Sequence, residues 1–116
     1  MARLFESLLI MKFPIILDAN GDVDLFSSVS KAESSVEYID VNNYVYVGYD
    51  AEGRLLRIYS VGYRVFFELA EDEPHHAADL AFALRRFLLA LGTPSDHVNA
   101  LTLEGLVELA FKIKGT

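Results

Sequence analysis

Cysteine is absent from the 116 residues, which rules out disulfides, thiolate zinc sites and cysteine nucleophiles and suits a chain kept in a reducing compartment. Long apolar runs are scarce as well. The opening stretch MARLFESLLIMKFPIILD is interrupted by Glu6, Lys12 and Pro14, leaving no clean secretory h-region and nothing near the ~20 apolar residues that span a bilayer. No membrane association and a cytoplasmic location are the expectation. Met11 opens a stretch that reads as a first strand, so residues 1–10 are read as a dispensable extension or an upstream-start artefact whose removal leaves that strand intact.

Positive charge is in deficit. Ten lysines and arginines stand against 17 aspartates and glutamates, a net charge of -7, and such a field repels phosphate backbones, so no nucleic-acid partner is expected. An acidic surface keeps a small protein soluble, and it can also speed the encounter with a basic protein. Catalytic signatures are lacking too. None of the serines lies in a nucleophile elbow, there is no glycine-rich phosphate loop, and no cofactor is implied.

What is present suffices for one domain. The chain is 53% hydrophobic and 23% charged, ordinary values for a folded unit of this size, with neither repeat nor linker to divide it. Phe13 to Leu17 reads as a buried strand running into Asp18-Ala19-Asn20-Gly21-Asp22, and Asn-Gly is the strongest short hairpin signal. Val23 to Phe26 returns. Ser30-Lys31-Ala32-Glu33 has the form of a capping box and predicts a short helix to about Tyr38 that buries Ala32, Val36 and Ile39.

Residues 44–49 alternate aromatic and β-branched side chains, Asp50-Ala51-Glu52-Gly53 turns, and Arg54 to Tyr59 and Tyr63 to Leu69 supply two more strands of a meander. Glu71-Asp72-Glu73-Pro74 announces a helix to Leu91, closed by Gly92, whose apolar face is Leu80, Leu84, Phe87, Leu88 and Leu91. Thr93-Pro94 starts a short turn, and a final helix buries Leu103, Leu106, Val107, Ala110 and Ile113. The expected fold is α+β: an antiparallel sheet of about five strands (N-terminal hairpin, short helix, three-stranded meander) packed by two C-terminal helices.

Three groups of residues are candidates for function. Asp18, Asn20, Asp22 and Asp24 alternate like the start of a calcium loop, but Val23 and Val29 occupy positions where that loop needs glycine and a closing glutamate, so a hairpin turn is preferred and no metal is expected. His75 and His76 could pair with Asp79 on a helix face, the basis of a third reading as a small metal-dependent enzyme; neighbouring helical residues point about 100° apart, so both histidines cannot easily hold one ion. Tyr44 and Tyr46 share a strand face and would look outward beside Asp50 and Glu52, in the manner of interface anchors. Phe82 and Leu89, seven residues apart and opposite the main apolar stripe of the long helix, suggest a subunit interface or a sandwiched helix.

Gly21-Asp22, Phe26, Ser28-Val29, Ala32-Glu33, Glu37, Ile39-Asp40-Val41 and the hairpin Tyr49-Asp50-Ala51-Glu52-Gly53-Arg54-Leu55-Leu56 together resemble a family of small acidic bacterial immunity proteins. The resemblance implies a non-catalytic protein that neutralises a toxin by direct binding. On that reading Asp22, Asp24, Tyr44, Tyr46, Asp50 and Glu52 meet a basic surface of the partner. A homodimer built on Phe82 and Leu89, as a structural or regulatory module, is the alternative.

Overall fold

The computed structural model describes residues 11–116; the expectation for residues 1–10 lies outside the described residues. Two residues with positive φ, Asn20 at 53° and Gly21 at 100°, make the first turn. Asp18 stabilises it by accepting the Gly21 amide through Oδ1 at 2.7 Å. The turn joins β1 (Ile15–Ala19) to β2 (Asp22–Phe26), two residues being the loop length that matches strand twist. β3 (Val47–Tyr49), β4 (Leu55–Val61) and β5 (Arg64–Leu69) follow. The sheet order is β2-β1-β3-β4-β5 with antiparallel pairing throughout, so the hairpin and the meander join through β1 and β3.

Both faces of the sheet carry a core, which explains why Ile15, Ile16 and Leu17 are apolar without alternation. On one face Ile16, Val23, Leu25 and Tyr49 pack with Leu80, Leu84 and Leu88 of the long helix α3 (Ala77–Ala90), Val98 of α4 (Ser95–Ala100), and Leu106 and Ala110 of α5 (Leu103–Lys114). On the other, Ile15, Leu17, Phe26, Leu56, Val65 and Phe67 pack with Ala32 of α1 (Val29–Ser35), Val36, and Val41 of α2 (Tyr38–Asn42). The α+β class, the five strands and the C-terminal helices agree with the sequence pattern.

The short N-terminal helix differs from its expectation. Ser28, not Ser30, is the cap, accepting the Lys31 amide at 3.2 Å, and Val36 takes extended angles that end α1. A β-branched residue suits that extended position and drops its side chain into the core. The chain then re-enters a helix at Tyr38, which leaves Ile39 exposed and buries Val41 in its place. The C-terminus closes one sheet edge: Gly115 bridges Leu25 in parallel, and the Thr116 amide donates to the Leu25 carbonyl at 3.0 Å.

Candidate functional site

Asp50 has no exposed surface. Its Oδ1 accepts the Glu52 and Arg54 amides at 3.0 and 2.9 Å, and its Oδ2 accepts the Lys12 amide at 3.2 Å and Arg54 Nη1 at 3.3 Å. Four donors around one buried carboxylate make it the organiser of the β3–β4 turn, so it has nothing left to offer a partner. Glu52 pairs with Arg54; this bond, followed by the Asp50 charge, holds the guanidinium above its usual pKa against partial burial. Asp22 and Asp24 lie 2.8 and 3.3 Å from Lys114 Nζ at the end of α5, which raises the lysine pKa through the Asp22 hydrogen bond first. The expected acidic contact surface is thus largely engaged within the fold.

The tyrosine face is also rearranged. Tyr44 adopts a φ of 55° and is 91% exposed, so the strand starts only at Val47. Tyr46 points to the sheet face covered by α1 and α2, where it packs against the core and its hydroxyl donates to Asp40 Oδ2 at 3.4 Å. Burial, then the Asp40 carboxylate, raises its pKa. The expected outward pair does not form, because α2 covers the face that the alternation assigns to solvent.

The histidines meet Glu71, not Asp79: His76 Nδ1 lies 2.8 Å from Glu71 Oε1, and His75 Nδ1 3.9 Å from Oε2. Asp79 instead flanks Tyr49, whose pKa is raised by burial first and then by the Asp79 and Asp18 charges. Among the described residues no three histidine, aspartate or glutamate side chains converge closely enough to hold a metal ion. A hollow of about 1400 Å³ is an open groove whose lining includes Phe13, Pro14, Leu103, Val107 and Phe111, with no histidine among the described residues that border it.

One surface remains that the sequence reading did not single out. Pairing puts Arg57 opposite Glu68, Tyr59 opposite Phe66 and Val61 opposite Arg64. These three rungs share a face. The alternate residues Leu56, Ile58, Val65 and Phe67 face α1 and α2, while α3 and α5 pack over the β1–β2 half of the sheet. Among the described residues no helix lies over these rungs, whose Arg57, Val61 and Arg64 are exposed and whose Tyr59, Phe66 and Glu68 are half-buried. Tyr59 and Phe66 stack with centroids 5.5 Å apart, Arg57 lies over Tyr59 at 4.5 Å and Arg64 over Phe66 at 5.2 Å. Arg57 Nη1 also meets Glu68 Oε1 at 3.0 Å, and Val61 is 64% exposed.

The sequence signal was there: Arg-x-Tyr and Arg-x-Phe repeat at the spacing of two that places both residues of each pair on one strand face. Val47 comes level with Arg57 by register and is also exposed. Beyond it α3 crosses the sheet, with Phe82 beside Asp18, Tyr49 and Arg86, and 63% exposed. Leu89 follows on the same helical face, 43% exposed. Arginine and aromatic residues lying on an open sheet face beside a helix form the composition of a protein-binding surface.

No family model, no curated protein and no solved structure matches this chain. No helix among the described residues is long and apolar enough to cross a membrane.

Proposed function

We propose that this chain is a non-catalytic protein-binding domain of the immunity or inhibitor type, which neutralises a toxin by lying over its working surface. The observation that carries the reading is the uncovered ladder on β4 and β5: two guanidinium groups resting on a stacked aromatic pair, flanked by exposed Val47 and Val61. Such a surface supplies aromatic anchors at low entropic cost and arginines already positioned for charged groups. The resemblance over residues 14–56 supports the toxin-directed role, and the net charge of -7 favours approach to a partner with a basic surface.

The test is capture of the product of the neighbouring gene by this chain, followed by rescue of growth when the two are co-expressed. The paired substitutions Tyr59→Ala and Phe66→Ala should abolish capture and rescue while the fold survives, since both rings lie on the uncovered face. Absence of both capture and rescue with the unaltered chain would remove the proposal.

A further inference from the structure

The ladder has a charge pattern that is complementary to itself. Its first rung holds a cation and an anion on neighbouring strands, Arg57 and Glu68, its middle rung two aromatic rings, and its last Val61 and Arg64. Let two copies stack these faces with a two-fold axis running along the strands between them. β4 of each copy then lies over β5 of the other, rung upon rung. Arg57 faces the partner subunit's Glu68, Glu68 faces the partner subunit's Arg57, and the Tyr59–Phe66 stack meets its equivalent at the axis.

A two-fold axis across the strands fails sterically, because it drives β1 and β2 of one copy into the α3 and α5 layer of the other. An axis along the strands sends β1, β2 and β3 of each copy past the partner's β5 edge, so the step between the open half-sheet and the helix layer is filled. Sheet faces stack at about 10 Å, the thickness of one side-chain layer from each. A contact of this kind is isologous and closes at two subunits.

We infer that the free protein is a homodimer through the β4–β5 face, so that a partner seeking this face must displace the second copy. The regulatory half of this statement rests on the function proposed above; the dimer itself does not. The chain places two of its ten lysines and arginines on this face, Arg57 and Arg64.

Sedimentation equilibrium on the full chain tests the inference without any partner. The unaltered protein should show a dimer mass that dissociates on dilution. R57E alone and E68R alone should each sediment as a folded monomer, since like charges then face each other across the axis. An equimolar mixture of the two should recover the dimer, because each new charge meets its opposite on the other copy; a purely intrachain role for the Arg57–Glu68 pair predicts no such recovery. A monomer mass for the unaltered chain at every concentration overturns the inference, and so does a mixture that stays monomeric. Either failure leaves the toxin-binding reading to its own capture test.

Discussion

Glu33 of α1 reaches the outermost strand: its Oε2 accepts the backbone amide of Phe67 at 3.1 Å. Among the described residues no strand lies beyond β5, and the amide of Phe67 points away from β4, toward the place a further strand would take. A carboxylate on such an amide satisfies a donor and puts a charge on an edge that would otherwise template pairing with another chain. The capping-box glutamate of the sequence reading is thereby put to a tertiary use.

Glu33→Ala leaves that amide without its acceptor in a partly buried setting, which costs about 1–3 kcal/mol. Glu33→Gln keeps a carbonyl acceptor and should lose less. Urea unfolding is the check: the midpoint of the alanine variant should drop while the slope is unchanged. An alanine variant as stable as the parent would show that water serves the Phe67 amide equally well.

Glu71 gives the chain an acid-sensitive contact. Its Oε1 accepts the Leu55 amide at 2.8 Å and sits 2.8 Å from His76 Nδ1. Burial alone would raise the carboxyl pKa, but the hydrogen bonds from His76 and Leu55 and the charges of His76 and His75 outweigh it, so the folded value falls below 4.5. A carboxylate depressed by folding stabilises the fold above its unfolded pKa, and that contribution is lost as pH falls through the folded value. Glu71→Gln should therefore be less stable than the parent at neutral pH, and the gap should narrow as the pH drops below about 4.5. Denaturant midpoints across that range measure it, and a gap independent of pH would mean the charge plays no part.

Local chemistry made much of the fold legible. Asn20-Gly21 and Asp50 to Gly53 each announce a turn through residues that tolerate positive φ or accept their own backbone amides, and both turns formed where expected. The two long helices were legible from apolar spacing, because a stripe at helical period must find a sheet to cover. What alternation does not encode is the layer above a strand. Tyr46 was assigned to solvent although α2 folds over that face, and Asp50 looked like an exposed turn acid although the Lys12 amide reaches it from 38 residues away. Arg57, Tyr59, Arg64 and Phe66 escaped notice for the converse reason: aromatic or apolar side chains stand on both faces of β4 and β5, so their alternation alone does not mark Tyr59 and Phe66 as lying on the face that α3 leaves open.

Gly53 and Gly92 share a φ of 92°, which makes them a controlled pair. At Gly92 an added Cβ meets nothing within 4 Å, so Gly92→Ala should cost only the left-handed backbone strain, about 1–2 kcal/mol. At Gly53 the added Cβ would overlap the backbone N and Cα of Ala77, the first residue of α3. Backbone cannot rotate aside as a side chain can, so the helix start must retreat. That retreat strains the 3.0 Å bond from the His76 amide to the Gly53 carbonyl and moves α3 off the β3–β4 turn. Overpacking of this kind adds about 1–3 kcal/mol to the backbone strain. Thermal unfolding of the two alanine variants separates the terms: Gly53→Ala should lose at least about twice the Tm that Gly92→Ala loses. Equal losses would show that α3 tolerates displacement from the turn, and that the seat of the helix beside the open sheet face is not fixed by Gly53.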